Sequence, residues 1–220
     1  MSTSASTPLV LLAAYLLGSV PFAVLISRVL RLPDPRSFGS GNPGATNVLR
    51  TGNRVAAVLT LLGDAGKGAA AVFLCRTLTE SLSLGPSMPA WAGAAAFAGH
   101  LYPVFLRFRG GKGVATFLGT LLALVPLVGV ATCLLWLVVA ALFRYSSVAS
   151  IFCALSASLA LWRINSPAGS ALAVALMSAF LLWRHRRNIM QLLSGTESKI
   201  GQRASAGAPG ATPNGSAPPG

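Results

Sequence analysis

"VATFLGTLLALVPLVGVATCLLWLVVAALF", residues 114–143, is a run of thirty residues without a charged side chain. How it divides decides the fold. As one helix it would be about 45 Å long, too much for one ordinary membrane crossing and little for two. Pro126 and Gly129 fall in the middle of the run, where a helix kinks or turns. Five further apolar segments flank it, at 8–30, 55–78, 88–106, 148–162 and 167–183.

The basic residues choose between the two readings. Two helices within 114–143 make seven spans and place fourteen Lys and Arg residues on one side, including Arg50, Lys112 and Arg184–Arg187. Only Arg76 and Arg163 then face the other side, with Lys67 inside a span. One long helix would split the same charges nine against seven. Because cytoplasmic loops collect Lys and Arg, the sequence predicts seven spans, with the N-terminus outside and the C-terminus cytoplasmic. The expected fold is an all-α polytopic membrane bundle, its polar loops facing the cytoplasm.

Composition agrees. Of 220 residues, 54% are hydrophobic and 10% charged, against about 25% charged in soluble domains. Mean hydropathy is +0.68. A net charge of +13 would suit a nucleic-acid binder, but such a protein would not carry these apolar runs, so the expected partner is the lipid bilayer and not nucleic acid. Cys75, Cys133 and Cys153 lie in apolar stretches and read as small packing residues. Residues 1–7 read as an unordered N-terminus, 8–203 as one membrane domain, and the Ala/Gly/Pro stretch 204–220 as an unordered tail. The run 8–30 has no basic residue before it and is longer than a signal-peptide core, so it reads as a retained span.

On this topology the unusual loops share one face. "SFGSGNPGATNVLR" (37–50) combines flexible glycines with Ser40, Asn42, Thr46 and Asn47 as donors. Thr46 or Asn47 is placed to cap a helix whose N-terminus attracts anions, and Arg50 to grip a phosphate. Gly41 belongs to the same turn. "GHLYPVFLRFRGGKGVAT" (99–116) sets Lys112 among Gly110, Gly111 and Gly113. It is no Walker A loop, since Gly113 follows the lysine and the upstream glycine is missing. Bare glycine N–H groups with one cation still suit a phosphate. His100 reads as a packed histidine or as a catalytic one.

"RHRRNIMQLLSGTE" (184–197) puts His185 and Asn188 on one helix face. Its arginines fit anionic lipid equally well. Ser146, Ser147 and Ser150 stand at the cytoplasmic start of a helix, as caps or phosphate donors. Asp64 and Lys67 lie one turn apart inside a span, as a structural ion pair or as substrate ligands. Four scattered acids and two distant histidines form no metal-ligand cluster, and no cofactor motif is visible. Neither histidine has an aspartate five positions on, which excludes the His-x4-Asp arrangement of soluble acyltransferases.

With these motifs in order, the chain resembles the bacterial integral-membrane acyltransferases that use acyl phosphate to acylate glycerol 3-phosphate. The resemblance rests on 40–50, 63–68, 99–116, 144–147 and 185–197. It implies transfer of a fatty acyl group to the 1-hydroxyl of sn-glycerol 3-phosphate, giving lysophosphatidic acid at the first step of phospholipid synthesis. It also implies roles for Lys112, His185 and Asn188 in catalysis, and a functional link to an enzyme that makes acyl phosphate. A transporter of phosphorylated metabolites is the alternative, suggested by glycine-rich loops and the intramembrane Asp64 and Lys67.

Overall fold

A computed structural model describes residues 6–164 and 166–202. Among these residues the secondary structure is entirely helical. Ser6 and Thr7, expected in an unordered N-terminus, open the first helix, while 1–5 and 203–220 lie outside the described residues.

The apolar run 8–30 does not form one helix. It is α1 (Ser6–Gly18) followed by α2 (Phe22–Val29). Pro21 lacks an N–H and disfavours helical geometry at Val20, so the chain breaks there. A break inside lipid frees backbone carbonyls that water cannot satisfy. Here Lys67 Nζ donates to Val20 O at 3.0 Å.

After a short α3 (Ala45–Val48), α4 (Arg54–Leu78) is capped by Asn53, whose side chain accepts from the Ala56 N–H at 2.9 Å. α5 (Met88–Leu101) ends five residues earlier than the expected segment 88–106. The reason is Pro103, which pushes Tyr102 out of the helical region; a 3-10 turn, Val104–Leu106, follows.

The thirty-residue run splits as its proline predicts. α6 (Val114–Leu124) stops at Val125, which is extended, and α7 (Pro126–Phe143) starts with Pro126 in its first turn. At eleven residues α6 is about 16 Å long, shorter than the hydrocarbon. Its last carbonyls are covered by Arg76 of α4, whose guanidinium donates to Ala123 O and Leu124 O at 2.6 Å each. α8 (Ser146–Arg163), α9 (Ala168–Arg184) and α10 (Arg186–Leu193) complete the chain, the last two meeting at 49°.

By length and composition four segments can cross a membrane: α1 with α2, α4, α7 and α8. The bent pair α9 and α10 makes a fifth, and α6 is a shorter apolar helix. Leu127, Leu134, Leu137 and Leu142 of α7 are exposed, as suits a helix wetted by lipid. Inside, α5 packs against α1, α4, α6 and α9. Phe97, Phe117, Leu121, Leu161 and Leu181 fill the core where α5, α6, α8 and α9 meet.

Small residues allow the close approaches, since helices in lipid associate by packing rather than by hydrophobic exclusion. A Cβ on Gly119 of α6 would lie 1.9 Å from the Ala65 carbonyl oxygen of α4. Gly119→Val should therefore separate these helices and cost on the order of 1–3 kcal/mol. Thermal unfolding of the detergent-solubilised protein should show a lower midpoint; an unchanged midpoint would refute the tight α4–α6 contact.

Candidate active site

The glycine loop 107–113 joins α5 to α6 and is held from both sides. Gly110 N–H donates to Leu101 O at 3.2 Å and Gly111 N–H to His100 O at 3.1 Å, so both satisfy carbonyls at the end of α5. From the opposite side Arg184 reaches the loop carbonyls: Nη2 lies 2.8 Å from Gly110 O and from Gly111 O, and Nε 3.1 Å from Gly111 O. Of the expected phosphate cradle, the N–H groups of Gly110 and Gly111 are thus engaged within the protein, and the same contacts tie down the backbone that carries Lys112. Gly113 closes the loop at φ +85°, a conformation that favours glycine, with Phe97 and Leu101 crowding where a Cβ would stand.

Lys112 is half-buried and its Nζ donates to Asn188 Oδ1 at 2.5 Å. Asn188 Nδ2 donates in turn to Glu197 Oε1 at 2.8 Å. Burial pushes the Lys112 ammonium down to about 8; Glu197 acts against that shift, while Arg184 and Arg50 add to it. Lys112 thus lies within electrostatic range of two further cations and one carboxylate, an arrangement with spare positive charge for an anion.

His185 sits at the break between α9 and α10, 2% exposed, its Nδ1 2.8 Å from Leu181 O. That contact with a carbonyl places the proton on Nδ1 and leaves Nε2 as an acceptor. Burial first, then the Lys112 and Arg184 charges, push the imidazole down to about 4.

The 37–50 loop contributes less directly than its composition suggests. α3 begins after Gly44 without a side-chain cap, so neither Thr46 nor Asn47 caps it. Asn47 is 2% exposed and clips the loop to itself: Nδ2 donates to Pro35 O at 2.6 Å and Phe38 O at 3.2 Å, and Oδ1 accepts from the Ser40 N–H at 3.1 Å. Gly41, at φ +65°, and Asn42 shape the turn. Thr46 Oγ1 lies 3.3 Å from Ser146 Oγ, and Arg50 Nη2 donates to Ser198 Oγ at 2.7 Å.

The α8 serines are not caps, because Tyr145 stands at that position without a side-chain bond. Ser150 donates to Ser146 O at 2.7 Å and faces Trp136 Nε1 at 3.3 Å, so its hydroxyl is engaged. Ser147 is buried, and its hydroxyl has no partner among the described residues. Asp64 and Lys67 pair at 2.9 Å, both buried, below the glycine loop rather than beside Lys112.

The family model for glycerol-3-phosphate acyltransferase matches residues 8–195. The chain belongs to the glycerol-3-phosphate acyltransferase family. It is 54% identical over 205 residues to the glycerol-3-phosphate acyltransferase of Bordetella pertussis (strain Tohama I), covering 90% of this chain and 94% of that protein. It is 55% identical over 203 residues to that of Laribacter hongkongensis, covering 91% and 98%. Two solved structures of PlsY (YgiH), an integral membrane glycerol 3-phosphate acyltransferase, share the fold. The glycerol 3-phosphate form superposes with a TM-score of 0.82 at 38% identity, covering 89% of this chain and 96% of that one. The lysophosphatidic acid form gives 0.80 at 37%, covering 88% and 95%. The protein is thus a multi-pass membrane member of this acyltransferase family, and the transporter reading finds no support.

Arg184 and Glu197 join the network around Lys112 without being singled out as candidate site residues in the sequence. Both lie within the 184–197 motif, but arginine there reads as a topology signal. Glu197 is separated from Asn188 by a helix and a turn. Its one available signal was being one of only four acids in the chain.

Proposed function

We propose that this membrane acyltransferase takes its acyl group from an acyl phosphate and passes it to the 1-hydroxyl of sn-glycerol 3-phosphate, releasing lysophosphatidic acid and phosphate. The observation that carries the reading is the half-buried Lys112, held by Asn188 among Arg50 and Arg184 at the head of an apolar bundle. One reactant of this reaction is soluble, the other has a lipid tail, and both bear phosphate. Such a pair needs an anion site at a membrane face.

The attacking hydroxyl oxygen forms a bond to the carbonyl carbon, the bond from that carbon to the phosphate oxygen breaks, and the hydroxyl proton must leave. His185, neutral at physiological pH and pushed down to about 4, is a weak base. The leaving phosphate oxygen lies beside the carbonyl and takes the proton. Lys112 stabilises the negative charge that develops. Nε2 of His185 and the Asn188 amide orient glycerol 3-phosphate, Arg50 and Thr46 hold a phosphate, and Ser40, Asn42 and Ser147 supply further donors to the two substrates. An enzyme that makes acyl phosphate is the functional partner this reaction requires.

Purified protein in lipid, given labelled glycerol 3-phosphate, should form lysophosphatidic acid with acyl phosphate and far less with acyl-CoA or acyl carrier protein. Equal rates with the thioesters would refute the donor assignment. Lys112→Ala should lower kcat on the order of 10²–10³ if it acts as one charge-stabilising donor.

The site faces the cytoplasm of a bacterial inner membrane in this reading, with seven spans. The fourteen-to-two charge partition supports it, together with the break at Pro126. Reporter fusions after Gly110 and Arg187 should report cytoplasm and one after Gly85 outside. A fusion after Arg187 that reports outside would sink the seven-span topology.

A further inference from the structure

Beneath the glycine loop lies a second polar cluster that the chemistry above does not use. Asp64 and Lys67 of α4 and His100 of α5 are each at most 7% exposed. Lys67 Nζ stands 2.9 Å from Asp64 Oδ1, and His100 Nδ1 stands 3.5 Å from the same oxygen. Lys67 also holds Val20 O at the break in the first apolar segment. A cavity of about 10 Å³, room for a single water, is lined by all three together with Pro43, Gly110 and Gly111.

The far edge of the imidazole meets the loop. A Cβ on Gly111 would lie 2.1 Å from His100 Nε2, and a Cβ on Gly110 would lie 2.1 Å from His100 O. The His100 ring therefore forms the seat on which the loop rests, and the Asp64 carboxylate stands behind that ring at 3.5 Å. Nothing in this cluster reaches Lys112 Nζ; it acts on the backbone that carries Lys112. Three apolar elements meet at the cluster, namely the α1–α2 break, α4 and α5. A buried ion pair contributes little net stability over an apolar pair, but removing one partner alone leaves a costly buried charge.

We infer that Asp64, Lys67 and His100 are positioning residues: they set the height and register of the Gly110–Gly113 loop, and so place the Lys112 ammonium for the acyl-transfer step. This inference rests on the function proposed above only in naming Lys112 as the group that is placed. Displacing that group by an ångström loses stabilisation of the transition state more than binding of either substrate, so the effect belongs in kcat.

A size exchange tests the seat. Gly111→Ala puts a methyl where the ring stands, and its φ is compatible with alanine because it lies outside the left-handed set. His100→Ala removes the ring. Each single change should lower kcat on the order of tenfold, but the double change His100→Ala with Gly111→Ala should be more active than either, because the methyl fills the vacated seat. Losses that multiply in the double variant would overturn the inference.

A second variant guards against misfolding of the single ones. Asp64→Asn combined with Lys67→Met removes the pair without leaving an unpaired buried charge. It should elute as folded protein, keep KM for both substrates within about twofold and lose about tenfold in kcat. Wild-type kcat in this folded variant would overturn the inference on its own. Turnover of the wild type with acyl phosphate tests the donor assignment separately. If the wild type prefers another donor, the same ratios are read with that donor.

Discussion

One ammonium group is held where it is only partly hydrated. Lys112 sits at the head of an apolar bundle, and burial alone would favour its neutral form. Asn188 and, through it, Glu197 oppose that cost, while Arg184 grips the carbonyls of the loop that carries the lysine. The balance leaves a cation that is poorly satisfied by its own protein. In the proposed reaction a substrate phosphate completes it.

The same logic runs through the bundle. Two basic side chains stand where the backbone is interrupted or a helix is short. Lys67 answers the carbonyl freed by Pro21, and Arg76 answers those at the end of α6. Glycines at helix contacts do the complementary work: Gly18 against Ala96, Gly99 against Tyr15 and Gly119 against Ala65 bring backbones together where a methyl would not fit. Close backbones with few side chains between them make a rigid frame. A rigid frame lets a short loop hold one side chain in place.

Much of this was legible in the sequence, and the exceptions have physical causes. Pro126 announced the division of the long apolar run, and it occurred there. Pro21 carries the same signal but sits in a run of ordinary span length, where nothing in the sequence asked for a break. Pro103 ended α5 before the hydrophobic pattern did. The chemistry of the glycine loop was read as free N–H groups, because sequence does not say which carbonyls fold back onto them. Asn47 reads as a ligand and serves as a loop clip, because its three bonds close across the loop itself. Residue types were readable; their partners, up to 76 positions away for Lys112 and Asn188, were not.

In the proposed mechanism Lys112 acts as a cation and no protein side chain serves as the base. The direct measurement is the pH dependence of kcat/KM, which reports groups in the free enzyme and in the free substrates. The Lys112 ammonium is pushed down to about 8, so its active, charged form is lost as pH rises through that value. The account predicts an alkaline limb near pH 8 in the wild type that is absent over the same range in Lys112→Arg. It also predicts that His185→Asn keeps whatever acid limb the wild type has, since that limb belongs to the substrate phosphates. An acid limb that vanishes in His185→Asn, or a wild-type profile flat through pH 9, would contradict it.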